Sequence, residues 1–333
     1  MAYSLTALSA LPPVLTDSPV DLARAAELLR AGEIVALPTE TVYGLAADAL
    51  NPEAARKVFA AKGRPFLDPL IVHVPDLEAL ATVAVPDPRL AKLAAFWPGP
   101  LTVVLPRPAS VPDIITAGKD TVAVRIPSHP VFREVLRLAG RPLAAPSANP
   151  FGYVSPTTAA HVRDSLGERC PWIVDGGPCA HGVESSIIDL TQPGRVRLLR
   201  PGPVSAEQLT AVLGPLEVVT RAASQSVAQD APGMLERHYS PNIPVFLFGR
   251  GEPIPTLPPG AALVLQARRD KIPPRARAYY LSERGDAAEA AHGLFALLRQ
   301  IDREHHSIII AELADPAGVG AALNDRLRRA AAR

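Results

Sequence analysis

The chain has 333 residues, 48% of them hydrophobic and 20% charged, a globular composition and a length sufficient for two domains of ordinary size or one large one. Its 34 Lys and Arg residues nearly balance its 33 Asp and Glu residues, so that the net charge is +1. This balance excludes a strong overall attraction to nucleic acids or membranes, and any contact with a polyanion must come from a local cluster.

Helical and strand patterns alternate in the first part of the chain. Apolar residues recur at helical spacing over 21–30, with Asp17 or Ser18 as the cap and Gly32 just past the end. The apolar run 34–37, which stops at a proline, predicts a buried strand. This alternation predicts an α/β fold in which helices cover a mixed sheet. The same criteria predict helices over 52–61, 87–96, 131–138, 157–166 and 206–213, and strands over 70–74, 101–105, 121–126, 142–145, 172–174, 186–190 and 196–199.

The alternation stops between residues 217 and 242, where Ala231-Pro232-Gly233 lies in a stretch without clear periodicity. A second alternating pattern follows. We therefore predict a first domain over 1–213, a linker over 214–242 and a smaller Rossmann-like α/β domain over 243–333. In the second domain the patterns predict strands over 245–248, 261–265, 278–281 and 308–311, and helices over 286–302 and 321–330.

The two cysteines, Cys170 and Cys179, form no C-x-x-C pair, which excludes a disulfide scaffold and is typical of a reducing cytoplasm. No apolar run approaches the ~20 residues that a membrane-spanning helix needs. The first basic residue is Arg24, which comes too late for the positive segment of a secretory signal. We therefore expect a cytoplasmic protein that does not associate with membranes.

Several common motifs are missing from the sequence. It has no G-x-x-x-x-G-K-[ST] loop and no G-x-G-x-x-G after a strand, so a bound nucleotide would need another device. It also lacks H-E-x-x-H and G-x-S-x-G, the signatures of zinc proteases and of α/β-hydrolases.

Five polar loops rich in Gly and Pro lie beside the predicted strands. Sites in open α/β sheets gather outside the carboxyl ends of strands, so we expect these loops to converge on one cleft. Their cations can pair with phosphate or carboxylate, and their hydroxyl groups add neutral donors, which indicates an anionic ligand. The loops are 38–45, 62–65 with 68–69, 147–150, 175–186 and 200–203; the cations are Lys62, Arg64, Arg125 and Arg200, and the hydroxyl groups belong to Thr41, Ser147, Ser155 and Ser185.

Each of these residues also has a simpler interpretation. Lys62 and Arg64 could be solvated charges at a helix end, and His73 could be an ordinary core histidine. Residues 147–149 could form a turn or a helix cap, and Arg200 could lie on the surface. Cys179 and His181 supply too few ligands to predict a metal site, and a structural role is the better interpretation.

Seven motifs follow one another along the first domain, and two more lie in the linker. They are 38–46; Lys62-x-Arg64 with Pro69 and His73; 97–102; 120–127; 144–149 with 155–157; 175–177 with 182–186; 199–203; and, in the linker, 231–234 and 238–241. In this order they resemble the YrdC-type threonylcarbamoyl-AMP synthases over about residues 15–213. The linker and the extra domain resemble the long, two-domain form of that family.

The resemblance implies a YrdC-like open twisted sheet and a reaction. L-threonine, bicarbonate and ATP give threonylcarbamoyl-adenylate, pyrophosphate and water. The adenylate passes to the tRNA threonylcarbamoyl transferase, which modifies adenosine 37 beside the anticodon to N6-threonylcarbamoyladenosine (t6A). Threonine carbamate is itself the nucleophile, so the protein only positions its substrates and neutralises charge, and Mg²⁺ is expected with ATP.

The resemblance also implies roles for individual residues. Lys62 and Arg64 would stabilise charge during catalysis, and Tyr239 would close on the nucleotide from a lid over 231–241, whose far end the second domain anchors. Asp68 stands where relatives often have an amide, which puts its contact with ATP in doubt. Positions matching the threonine site are Thr41, His73, Arg125, Ala145 through its backbone, and Ser185; positions matching the ATP site are Lys62, Arg64, Asp68, Thr121, Ser147, Asn149, Ser155, Arg200 and Tyr239.

Two other functions compete with this one. An RNA-binding module could use the same four cations, although the near-neutral charge and the lack of interleaved aromatic residues argue against it. A carbamoyl-transfer enzyme of hydrogenase maturation would carry paired C-x-x-C zinc fingers, which this sequence lacks.

Overall fold

The structure is a computed structural model that describes residues 14–170, 172–219, 228–274 and 276–332. Some of the predicted ranges extend beyond these residues. Residues 1–13 of the first predicted domain, 220–227 of the predicted linker and Arg333 of the second domain lie outside the described residues.

Within the described ranges, the larger sheet has nine strands. In chain order they are β1 (Val35–Leu37), β2 (Gly44–Asp48), β3 (Ile71–His73), β4 (Leu101–Pro106), β5 (Thr121–Arg125), β6 (Leu143–Ala144), β7 (Ser186–Asp189), β8 (Arg197–Arg200) and β9 (Glu217–Val218). They lie side by side in the order β1-β2-β6-β3-β5-β4-β7-β8-β9. Pairs β3–β5, β4–β7 and β8–β9 are parallel and the other five are antiparallel, so the predicted mixed sheet is confirmed.

Capping residues fix the ends of the first two helices of this unit. The Ser18 hydroxyl accepts a hydrogen bond from the Asp21 backbone, and Asn51 does the same for Glu53 and Ala54. Gly63 ends its helix in the left-handed conformation. The helices are α1 (Pro19–Arg30), α2 (Pro52–Lys62), α3 (Leu77–Leu80), α4 (Asp113–Thr116), α5 (Pro130–Ala139), α6 (Ala159–Leu166) and α7 (Ala206–Leu213).

Several elements differ from the sequence-based prediction, and the short α3, α4 and β9 are absent from it. Residues Pro88–Phe96 form a 3₁₀ helix rather than an α-helix, and the buried Leu90 and Leu93 have the three-residue spacing that suits it. The predicted strand 172–174 makes only isolated bridges to its neighbours. Strand β2 is missing from the prediction, and the predicted loop 38–45 overlaps its first two residues, because its sequence, Gly-Leu-Ala-Ala-Asp, contains no β-branched residue.

In its described residues, the second unit is a four-stranded parallel sheet with two helices, which confirms the predicted Rossmann-like fold. Its strands lie in the order β10-β13-β11-β12, and each is paired in parallel with its neighbours. No helix in the described part of the chain is both long and apolar enough to cross a bilayer. The elements are β10 (Val245–Phe248), β11 (Ala261–Leu265), β12 (Arg277–Tyr280), α8 (Ala287–Arg303), β13 (Ile308–Glu312) and α9 (Gly320–Ala331).

One face of the larger sheet carries a small apolar patch, which the linker covers. Ala231 and Met234 of the linker are buried against strand residues of this face: Ile71, Val104, Ala123, Ile187 and Leu199. Because Ala123 and Arg125 alternate with Val124 on β5, both side chains project from this face. The linker therefore lies across the surface on which the predicted site residues stand.

The second unit packs directly against a loop of the first. Gly182 lies in the predicted loop 175–186 and has a φ of +71°. A Cβ at this position would come within 2.3 Å of the His292 carbonyl oxygen on α8, so only glycine allows this approach. The loop before β7 is thus fixed from both units.

Candidate active site

A single pocket on the covered face of the larger sheet brings together nine of the predicted site residues. They are Thr41, Arg64, His73, Arg125, Ala145, Ser147, Ser185, Arg200 and Tyr239. The rest of its wall is formed by Thr39, Val42, Gly44, Ile71, Pro146, Glu184, Pro232, Gly233 and His238. The loops do not all follow the carboxyl ends of strands as predicted. Neighbouring strands are mostly antiparallel, so Ser185 comes just before β7 while Arg125 ends β5.

Arg125 forms the charged floor of one half of the pocket. Its guanidinium lies 2.7 Å from Oε1 of Glu40, and both side chains are buried. Arg125 also donates to Thr41 Oγ1 at 2.9 Å and to the Gly99 carbonyl at 3.3 Å. Burial, the largest single influence, would raise the pKa of the Glu40 carboxyl, but the charge of Arg125, its hydrogen bond and the backbone hydrogen bonds together lower that pKa to about 2.

Glu40 is a residue of the site that the sequence reasoning missed. It lies inside the predicted loop 38–45, and its neighbour Thr41 was chosen instead. Only the contact with Arg125 identifies it, and the two residues are brought together by the pairing of distant strands. The sequence contained one signal: a carboxylate in a loop that is expected to bind an anion needs a partner cation of its own.

His73 is buried, and it forms part of the pocket wall. It pairs with Arg125 across β3 and β5, and its ring lies 5.0 Å from that of Phe132. Burial and then the charge of Arg125 lower the pKa of His73 to about 3. The neutral ring, whose Nδ1 has no hydrogen-bond partner in the structure, can therefore accept or donate a hydrogen bond without adding charge.

Arg200 lines the same pocket from β8, which is separated from β5 by β4 and β7. Only 3% of it is exposed, so its interpretation as a surface arginine is wrong. Its guanidinium donates to the Ser185 carbonyl at 3.1 Å and to Ser185 Oγ at 3.2 Å. A third bond, of 3.1 Å, reaches the Pro232 carbonyl in the linker. Ser185 Oγ is also 2.8 Å from Thr102 Oγ1, which fixes the hydroxyl between the two halves of the pocket.

Lys62 and Arg64 are buried, so their interpretation as solvated charges at a helix end is wrong. The Lys62 ammonium donates to the carbonyls of Ser147 and Asn149 and lies behind the pocket wall. Burial, and after it the neighbouring Arg64, lower the pKa of Lys62 well below its usual value. Arg64 reaches the pocket wall itself.

Asp68 is the ion-pair partner of Arg64. Its carboxylate is 2.9 Å from the Arg64 guanidinium, and both side chains are almost completely buried. Burial raises the pKa of Asp68, while Arg64 opposes that rise. Asp68 does not line the pocket, and its ion pair orients the Arg64 side chain, which does. Its predicted contact with ATP stays a prediction.

Three other predicted residues lie outside the pocket lining. Thr121 stands at the opposite end of β5 from Arg125, in a separate cleft. The Asn149 side chain donates to the carbonyls of Pro150 and Tyr153, within the loop that Lys62 holds. Ser155 lies one hydrogen bond behind the wall, because its hydroxyl donates to Glu184 Oε1 at 2.5 Å.

The linker closes the top of the pocket. Tyr239 is 1% exposed, has a φ of +60° and packs 5.6 Å from the ring of Phe295 on α8. Gly233, with a φ of +75°, lies so close to its neighbours that a Cβ would be 2.6 Å from Tyr239 Oη and 2.8 Å from an Arg200 nitrogen. The segment around Gly233 and Tyr239 therefore packs directly on Arg200.

Among the described residues, no cluster of three or more His, Cys, Asp and Glu side chains could hold a metal ion. Cys179 is fully buried, and burial raises the pKa of its thiol to about 12. The two carboxylates nearest the phosphate-binding candidates, Asp68 and Glu184, are already paired with arginines.

Two family models cover most of the chain. The Sua5/YciO/YrdC model, described as telomere recombination, matches residues 27–202. The model for the C-terminal domain of threonylcarbamoyl-AMP synthase matches residues 204–332.

Individual relatives are similar along nearly the whole chain. The threonylcarbamoyl-AMP synthase of Bacillus subtilis is 41% identical over 95% of this chain and 94% of its own length. That of Pyrococcus abyssi is 40% identical over 92% of each chain. The crystal structure of P. abyssi Sua5 complexed with L-threonine matches with a TM-score of 0.86 and 36% identity, over 96% of this chain and 97% of that one.

Proposed function

The chain belongs to the Sua5/YciO/YrdC family as a two-domain threonylcarbamoyl-AMP synthase, and from this premise we propose how its pocket divides between the substrates. The enzyme is a nucleotidyltransferase that makes the threonylcarbamoyl-adenylate used in t6A biosynthesis. The observation that carries the proposal is that two buried arginines line one pocket from different strands: Arg125 ends β5, Arg200 ends β8, and β4 and β7 lie between them.

L-threonine occupies the half of the pocket around Arg125. The guanidinium binds the threonine carboxylate, because a buried cation at a pocket wall is stabilised by a second anion besides Glu40. Thr41, neutral His73 and Ser185 provide uncharged partners for the amino and hydroxyl groups of threonine, and the Ala145 backbone lies at the edge of the same half. A neutral His73 leaves Arg125 as the cation that selects the carboxylate.

The triphosphate of ATP occupies the half around Arg200 and Arg64, with Ser147 as a neutral donor. Three further side chains lie directly behind this wall: Lys62, Asn149 and Ser155. Each now donates a hydrogen bond to a protein oxygen, and on ATP binding each donates to a phosphate oxygen instead. Thr121 projects from the same face of β5 as Ala123, beyond the apolar patch. Thr121 lines a separate cleft at its end of β5, so its contact with ATP stays a prediction.

The chemistry needs no nucleophile from the protein. The threonine amine and bicarbonate combine to a carbamate with loss of water, and the carbamate oxygen attacks the α-phosphorus of ATP while pyrophosphate leaves. The arginines of the pocket hold the two anions together and stabilise the charge that develops on the phosphate oxygens. The linker excludes water, which would hydrolyse the carbamate and the adenylate.

Other partners form part of the same proposal. Mg²⁺ enters as the counter-ion of ATP and belongs to that substrate, since Asp68 and Glu184 are committed to Arg64 and Arg326. The adenylate is consumed by a tRNA threonylcarbamoyl transferase. Because that reaction uses tRNA, we place the enzyme in the cytoplasm.

The product assay tests this function. The protein is incubated with ATP, Mg²⁺, bicarbonate and either threonine, serine or valine, and pyrophosphate and adenylate are measured. We expect both products, in equal amounts, with threonine, and loss of both when bicarbonate is removed. Pyrophosphate release that does not depend on an amino acid, or tight RNA binding without either product, would contradict the proposal.

Protease sensitivity tests the role of the linker as a lid. Arg237 is exposed, but its neighbours from His238 to Ser240 are buried, so cleavage there requires the segment to open. We expect trypsin to cut after Arg237 several-fold more slowly with ATP and threonine together than without them. Cleavage after Arg268, an exposed residue of the second domain, serves as the control and should keep its rate. Equal rates at Arg237 with and without ligands would mean that the segment is only a tether.

A further inference from the structure

The second domain places one arginine deep inside the catalytic domain. Arg326 of α9 is 0% exposed and is among the largest fully buried side chains in the described part of the chain. Its Nε donates to Glu184 Oε2 at 2.7 Å, and another nitrogen donates to the Glu184 carbonyl at 3.3 Å. A third donates to the carbonyl of Pro201, the residue after Arg200, at 3.0 Å.

Glu184 connects this arginine to the pocket. Its carboxylate lines the pocket, with Oε2 bound to Arg326 and Oε1 accepting the hydroxyl hydrogen of Ser155. The Arg326 guanidinium also lies 5.2 Å from the ring centre of Tyr239, the linker residue over the pocket. One side chain of the second domain therefore contacts the catalytic loop before β7, the loop after β8 and the linker.

The contact between Arg326 and Glu184 affects the charge of the pocket wall. A carboxylate on the wall of a pocket that receives a triphosphate repels it unless a cation compensates. Arg200 is bound to Ser185 and Pro232 rather than to Glu184. Burial would lower the pKa of Arg326, but Tyr239, Glu184 and Asp325 together raise it above its usual value, so the side chain stays charged.

We propose that Arg326 is a positioning residue of the adenylation reaction: it neutralises Glu184 and fixes Glu184 and Ser155, so that the second domain sets the affinity of the pocket for ATP. The inference rests on the proposed function, which puts the triphosphate beside this wall. It refines the expected role of the second domain as an anchor for the lid, because Arg326 acts on the pocket without touching a substrate itself.

Steady-state kinetics of four full-length proteins test the proposal: wild type, Arg326→Met, Glu184→Gln and the double variant. Arg326→Met should raise the KM for ATP by more than about tenfold, since it leaves a buried carboxylate without its partner, and change the KM for threonine by less than about threefold. In the double variant no such charge remains, and the KM for ATP should return to within about threefold of that of Glu184→Gln.

A matched control separates this effect from a loosened domain contact. Arg303→Met breaks another ion pair between the units, with Asp164, and does not touch Glu184, so it should leave both KM values unchanged. Should Arg326→Met fail to fold in thermal melting, Arg326→Lys takes its place. Lysine keeps the charge but cannot reach Glu184 and Pro201 together, so the KM for ATP should rise about three- to tenfold, and Glu184→Gln should abolish that rise.

Two results would overturn the proposal: a folded Arg326 variant with an unchanged KM for ATP, or equal increases in the KM for ATP and for threonine that Glu184→Gln does not reverse. Inactivity of the wild type itself with ATP and threonine would instead refute the proposed function. The two failures are therefore distinguishable.

Discussion

Replacing Lys62 and Arg64 by alanine, in a chain that also carries Asp68→Asn, should abolish ATP-dependent pyrophosphate release. Each lost contact between a cation and a phosphate is worth about 1.5–3 kcal/mol, so the two together correspond to about 10²- to 10⁴-fold in rate. The Asp68 change is needed because the structure pairs this buried carboxylate with Arg64, and an uncompensated partner would destabilise the fold by about 3–5 kcal/mol.

The reference for this experiment is Asp68→Asn alone. Pyrophosphate release is measured for both proteins at saturating threonine and bicarbonate, and thermal melting verifies that both are folded. If the triple variant retains activity within a few-fold of the reference, then Lys62 and Arg64 serve only to hold the loop 147–149 and residues 68–69 in place.

The second large effect is expected at Arg125. In a Glu40→Gln background, which removes the buried partner of the arginine, Arg125→Met should weaken threonine binding by more than about tenfold. A charge-assisted hydrogen bond contributes about 1.5–3 kcal/mol, and the loss of the threonine carboxylate contact would therefore cost roughly 10- to 150-fold in affinity. Titration calorimetry with threonine, compared with Glu40→Gln alone, measures this difference.

The ATP side of the pocket provides the internal control for that variant. Since Arg200 and Arg64 remain in place, ATP affinity should change by less than about threefold. Unchanged threonine binding would remove Arg125 from the threonine site, and an equal loss for both ligands would indicate a collapsed pocket rather than a lost carboxylate contact.

Local patterns in the sequence were sufficient to predict much of this architecture. The apolar residues before Arg125 predicted that the arginine ends a buried strand, and the structure places it at the end of β5. The prediction of a cap at Asp17 or Ser18 is confirmed at Ser18, because a cap depends only on neighbouring backbone groups. Periodicity likewise predicted the strands and helices of the second unit, and the long connections between these strands allow the parallel pairing that the structure shows.

What the sequence did not predict depends on contacts between distant residues. The burial of Lys62 follows from the loop at residues 147–149, which folds over it. Arg326 and Glu184 are 142 residues apart, and no periodicity in either segment relates them. The same holds for Glu40, because it lies in the loop after β1 while its partner Arg125 ends β5. Only the folded chain shows which charges compensate one another.

The most direct test of the account is a crystal structure of the full-length enzyme with L-threonine, Mg²⁺ and an ATP analogue that cannot be cleaved between the α- and β-phosphorus. The account predicts the threonine carboxylate on Arg125, the phosphates on Arg64 and Arg200, and the threonine amine turned toward the α-phosphorus with Tyr239 above the nucleotide. A nucleotide bound at the second sheet, or a threonine carboxylate bound to any other cation, would contradict it.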